Sequence, residues 1–274
     1  MKTNTIETGN HRQMKIKRIH ELAFIIMTLL IQAGAVKAQP QVQGFAVLEL
    51  FTSEGCSNCP PAEALLDQID QASKGQPVYL LAYHVDYFDR LGWKDPFGKH
   101  QYSLRQYSYG RNLSAQVYTP QLIVNGATEG IGSDEKYVRG AINNALSKAS
   151  GASLNVQARI VQPERATGAR MREGRFEYKV QGQTGGAILV IALVQKHAVS
   201  HVMRGENKGR TLTHSGIVSD LNSYNTGKSA SGRVNFHLPA DFNWEKYDLI
   251  SFLQKKSTGE IIAANRVHGQ YLLE

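Results

Sequence analysis

Cys56 and Cys59 are the only two cysteines in the 274-residue chain, and they stand three positions apart. A dithiol at that spacing can attack a disulfide with one thiolate and resolve the mixed disulfide with the other thiol. As a structural staple it would do little, because cross-linking constrains the unfolded chain most when it closes a long loop. A C-x-x-C is also half of many zinc sites, but such a site needs two further Cys or His at suitable spacing. Neither His197-x-x-x-His201 nor any other histidine pair supplies a recognised partner motif. The residues therefore favour redox chemistry, with Cys56 as nucleophile and Cys59 as resolving thiol. Neither an organic cofactor nor a metal is required for it. Two rivals are a dithiol holding a soft metal such as Cu(I), with His84 as a further ligand, and an assembly protein whose disulfide is inert.

The elements around the pair set its chemistry. Phe45–Phe51 is a short apolar run followed by Thr-Ser-Glu-Gly, which reads as a buried strand entering a loop. Pro60 and Pro61 are tolerated only in the first turn of a helix. Ala62, Leu65, Leu66 and Ile69 then recur at the spacing of one buried helical face. Pro77–Tyr83 reads as a second buried strand. The cysteines thus lie where the first strand meets its helix, and a helix N-terminus favours a thiolate. The Pro-Pro pair works against this by moving the helix start past Cys59.

Further along, a helix is expected between Gly98 and Tyr109, with Tyr102, Tyr107 and Tyr109 covering the core. The run Tyr118–Val124 ends in Asn125-Gly126, a hairpin-turn signal. A helix starting near Ser133 would bury Val138, Ala141, Ile142, Ala145 and Leu146. After Gly151 the texture changes to short runs, Ser153–Val161, Arg175–Val180, Ala187–Val194, Arg210–Val218, Arg233–Leu238, Tyr247–Leu253 and Glu260–Val267, which read as strands of a β-sandwich.

The run Val47-Leu-Glu-Leu-Phe-Thr-Ser-Glu-Gly-Cys-Ser-Asn-Cys-Pro-Pro, followed by Thr119-Pro120, resembles the thioredoxin-like superfamily over residues 44–150. With His84-Val-Asp-Tyr-Phe-Asp, Gly92-Trp-Lys-Asp and Arg204-Gly-Glu-Asn, the chain most closely resembles an uncharacterised exported thioredoxin-like family, domain of unknown function 1223. The resemblance implies an α/β thioredoxin-like domain (residues 39–150) followed by an all-β sandwich-like domain (residues 151–274). It also implies that Pro120 is a cis-proline facing the dithiol, and that Thr119 offers its backbone to a substrate chain. Glu49 is the nearest counterpart of a buried acid that would shuttle a proton to the resolving thiol, although it lies one residue further from the first cysteine than that pattern expects. It could equally face solvent or pair with Lys or Arg. His84 and Trp93 are expected along the substrate groove. Asp86, Asp89 and Asp95 read as loop-capping side chains, His197, His201 and His214 as structural in preference to a metal site, and Arg204-Gly-Glu-Asn as a charged surface turn.

Residues 1–38 read as an export signal: a basic stretch (Lys15, Lys17, Arg18), an apolar run from Leu22 to Ile31, and a small-residue site ending at Ala38. The apolar run is well short of the ~20 residues a spanning helix needs, so no membrane span is expected after cleavage. Removing 1–38 takes six of the 31 Lys/Arg and two of the 23 acidic residues, which lowers the net charge from +8 to +4. No basic patch interleaved with aromatics remains, and this argues against nucleic acid as a partner. The expected partners are protein or small-molecule thiols and disulfides in the periplasm or outside the cell.

Overall fold

The computed structural model describes residues 43–161, 171–182, 184–226, 229–240, 242–267 and 270–272. The expected export signal, residues 1–38, lies outside them. Among the described residues no helix is long and apolar enough to cross a membrane.

Strand β1 (Ala46–Thr52) is buried along its whole length. It leads through the cysteine loop into α1 (Pro60–Ala72), whose buried face is Ala62, Leu65, Leu66 and Ile69, as the spacing predicted. β2 (Val78–His84) pairs parallel with β1. A single 3-10 turn (Asp89–Leu91) and α2 (His100–Leu113) follow. β3 (Gln121–Val124) and β4 (Thr128–Ile131) form a hairpin. Its turn residues Asn125 and Gly126 take φ of 50° and 63°, the positive values that an Asn-Gly pair favours. α3 (Glu135–Ser147) is capped by Asp134, one residue after the expected Ser133, and the Asp134 carboxylate accepts the Tyr137 N–H.

The rest is strand: β5 (Ala152–Val161), β6 (Met171–Gly182), β7 (Ala187–His201), β8 (Thr211–Tyr224), β9 (Ser231–Pro239), β10 (Tyr247–Lys255), β11 (Ile261–Val267) and β12 (Gln270–Leu272). The predicted β character after Gly151 holds, but the predicted architecture does not. An α/β thioredoxin-like domain followed by a separate β-sandwich would keep the N-terminal strands in a sheet of their own, beside the two sheets of the sandwich. Instead one mixed eight-stranded sheet runs β11-β10-β7-β8-β2-β1-β3-β4, and a four-stranded sheet runs β12-β5-β6-β9. The join is β8, which pairs parallel with β2 at Ala82 and Ile217.

The core shows why the halves cannot be separate bodies. On one face of the large sheet, Val47, Phe51, Leu81, Tyr83 and Ile123 form one cluster with Val190, Ala192, Val218, Ile250 and Phe252, covered by Tyr102 and Tyr109 of α2. On the other face, α1 and α3 pack on β1–β3. The four-stranded sheet packs on the same face, over β7, β10 and β11. Periodicity placed the apolar residues on strands; it could not say that β7 and β8 extend the N-terminal sheet.

Candidate functional site

Cys56 and Cys59 are joined by a disulfide in the turn between β1 and α1. Cys56 is 3% exposed and Cys59 fully buried. Cys59 is the N-cap residue of α1, and its carbonyl accepts the N–H groups of Ala62 and Glu63. Pro60 and Pro61 have no N–H to offer. The first turn of α1 therefore holds no free N–H for a Cys56 thiolate.

The cover of the turn comes from the connection between β7 and β8. Asn207, fully buried, donates through Nδ2 to the carbonyls of Glu54 and Cys56, both at 2.9 Å. Glu206 accepts the Ser57 N–H at 2.9 Å, and that bond holds its carboxyl below the usual carboxylate range. Arg204-Gly-Glu-Asn is the expected turn with its charges, Arg204 and Glu206, on the surface, and through Glu206 and Asn207 it also covers the cysteine turn.

Two acids flank the cysteines in sequence, and both turn inward to one buried polar cluster. Glu54 Oε2 accepts Trp93 Nε1 at 2.6 Å, while Oε1 meets His214 Nε2 at 3.0 Å and the Ser200 hydroxyl. Glu63, one helical turn past Cys59, meets His214 Nδ1 through Oε2 and accepts Thr52 Oγ1 at 2.5 Å through Oε1. Burial disfavours an imidazolium at His214, but the bonds to Glu54 and Glu63 outweigh it and push its pKa up to about 10. Burial likewise opposes ionisation of Glu54, yet its bonds to His214, Ser200 and Trp93 leave its pKa lowered.

His84 closes the cluster. Its Nδ1 lies 2.8 Å from Asp95 Oδ2, and both side chains are fully buried. Asp95 is fixed in turn by the backbone N–H groups of Glu54 and Phe97. The His84 ring stands edge-on to that of His214, centroids 5.0 Å apart, and Phe97 packs against both. His84 Nε2 is buried with no hydrogen-bond partner.

Of the residues singled out by sequence, the structure thus brings His84 and Trp93 into one buried cluster, whose acids Glu54 and Glu63 flank Cys56 and Cys59 in the chain. Thr119-Pro120 is a cis peptide; Pro120 lies by Ala62 and Leu50 across Gly132, and its carbonyl accepts the Gly132 N–H. Glu49 lies elsewhere. It projects from β1 toward α2, the face opposite α1, where Arg105 Nε binds it at 2.7 Å and the Tyr109 hydroxyl also donates to it. Of the uses open to Glu49, the ion pair is the one present. Asp95 is more than a loop cap, and His214 belongs with His84, not with His197 and His201. The sequence had no signal for Glu54, Glu63, Ser200 or Asn207, since the bonds that join the two acids to Ser200, Asn207 and His214 each span more than a hundred residues.

Residues 47–254 match the family model described as "Protein of unknown function (DUF1223)". Among solved structures, protein AGR_C_4864 from Agrobacterium tumefaciens is similar at 28% identity, over 86% of this chain and 99% of that one, with a TM-score of 0.61. HBP35 of Porphyromonas gingivalis is similar in fold at 14% identity, over 86% of this chain and 80% of that one, with a TM-score of 0.57. No curated protein matches the sequence.

Proposed function

The chain belongs to the DUF1223 family of proteins of unknown function, and for this member we propose thiol–disulfide exchange through Cys56 and Cys59. The observation that carries the reading is the disulfide itself. It uses both cysteines of the chain and closes a ring across only two residues, so it contributes little as a staple. The likeness to the thioredoxin-like superfamily is carried by this motif and bears on the chemistry, not on the architecture.

The step balances without a cofactor. The reduced Cys56 thiolate attacks a substrate disulfide, forms a mixed disulfide, and expels one substrate sulfur as a thiolate. Cys59 then attacks Cys56 Sγ, the second substrate sulfur leaves with the electron pair, and a proton from solvent completes the thiol. Two electrons have passed from the dithiol to the substrate, and the reverse sequence oxidises a substrate dithiol. Cys56 is the less buried of the two residues, which suits it to the first attack. The partners are protein or small-molecule thiols in an oxidising compartment reached by export, where such a bridge persists.

The test uses the purified protein and a model disulfide. Cys56→Ser abolishes exchange, whereas Cys59→Ser accumulates a mixed disulfide at Cys56 that mass spectrometry detects. Full exchange by Cys56→Ser, or a bridge that stays closed in excess dithiothreitol, sinks the proposal.

A further inference from the structure

We infer that His84, His214 and Glu63 form a binding site for one divalent transition-metal ion, with zinc the best fit to the donor set. One ligand atom from each of these side chains lies within 4.8 Å of the others. His84 supplies the independent sign of a ligand. Asp95 holds its Nδ1, while Nε2 is buried and unpartnered. A buried ring nitrogen without a partner costs free energy unless something binds it.

The surroundings resemble those of metal sites in detail. A metal-bound histidine usually has its other ring nitrogen fixed by a carboxylate or a carbonyl, which sets the tautomer and raises ligand basicity. Asp95 does this for His84 and Glu54 for His214. Thr52 orients the Glu63 carboxylate through the oxygen that is not turned to His214. Phe97 packs on both rings, at 5.2 and 5.4 Å, and limits their rotation. Two histidines and a glutamate, with the fourth position left to water or a ligand, is a recurrent zinc set.

Charge points the same way. Glu54, Glu63 and Asp95 place three carboxylates around two imidazoles, and among the described residues no Lys or Arg bonds to any of the three. A dication between the neutral imidazoles offsets more of that charge than one proton does. Tetrahedral ligands stand about 3.4 Å apart, so His214 and Glu63 must separate to admit the ion, and the proton they share leaves.

The site is tested on the disulfide form, in which neither cysteine can be a ligand. The result is therefore independent of exchange activity. Chelator-treated protein is titrated with Zn2+ by calorimetry and with Co2+ by visible absorption, and one equivalent is expected. Asp95→Asn should weaken binding 10- to 100-fold, and His84→Ala and Glu63→Gln should weaken it further. The double variant His197→Ala/His201→Ala should leave it unchanged. Near-ultraviolet circular dichroism checks that each variant is folded, and Glu63→Gln keeps the shape of the site should His84→Ala unfold. No stoichiometric binding at micromolar metal overturns the inference. So does binding that is unchanged in folded Glu63→Gln, or that disappears with His197 and His201.

Discussion

Asn207 donates to the carbonyl of Cys56 across 151 positions of sequence, at 2.9 Å, and to that of Glu54 with the same Nδ2 group. One buried amide therefore ties the cysteine turn to the second half of the chain. Removing it takes a donor from both buried carbonyls, of which that of Cys56 keeps the Cys59 N–H at 3.3 Å, and a buried acceptor left unpaired costs about 1–3 kcal/mol. Asn207→Ala should lower the urea midpoint accordingly and speed reduction of the disulfide by dithiothreitol. Unchanged reduction kinetics in a destabilised variant would show that Asn207 holds the fold but not the cover.

The second tie is pH-sensitive. The folded state holds the Glu206 carboxyl below its usual range through the Ser57 N–H. A depressed carboxyl pKa means that the contact is present above the ordinary carboxylate range and is lost as pH falls through the folded value. A phosphine reductant, which needs no thiolate, reads this directly. The rate for the native protein, divided by that for Glu206→Ala, should rise toward one on acidification. A ratio that stays flat from neutral pH to acid removes Glu206 from the cover.

The proline pair at the start of α1 makes a third expectation. Replacing Pro60 by Ala restores an N–H at the helix N-terminus, which interacts with a nearby anion by ~0.3–1 kcal/mol. Exchange at neutral pH should accelerate about two- to five-fold, measured as the initial rate on a model disulfide. A slower variant with native stability would mean that the proline ring positions Cys59 instead.

Glu49 and Arg105 should affect stability and leave chemistry alone. The Glu49 side chain is fully buried, and burial, which favours neutral Arg105, is outweighed by Glu49, so the Arg105 pKa is raised. Arg105→Met strands the carboxylate and should cost about 3–5 kcal/mol, while Arg105→Met with Glu49→Leu should recover most of it. Thermal melts give the first comparison. Exchange by the double variant should match the native rate; its loss in a folded double variant would return Glu49 to a role in proton transfer.

What could be read from the sequence was local. The four apolar positions of α1 give its buried face, and Asn125-Gly126 gives the hairpin, because each rests on neighbours within a few residues. The runs after Gly151 are strands for the same reason. Sheet membership is a different kind of fact. β8 joins β2 through Ala82 and Ile217, and nothing in either run specifies its partner. Glu49 shows the same limit on a smaller scale. Its alternation with Leu48 and Leu50 gives its face, but the partner that neutralises it comes from α2. His84 was visible because it stands near the cysteine turn, whereas His214 gained its meaning only when β8 brought it beside His84.

The insertion of β8 next to β2 has a consequence for how the molecule comes into being. Glu54, Glu63, His84 and Asp95 emerge first during synthesis, and Ser200, Asn207 and His214 only after more than a hundred further residues. Until then Glu54 and Glu63 lack the imidazole that stands between them, and the cysteine turn lacks its lid. Closing so long a segment is slow compared with forming the β1–α1 and β3–β4 units. The nascent chain therefore passes through a period in which the cysteine turn lacks this cover, and a fragment ending before the β7–β8 connection would lack it permanently.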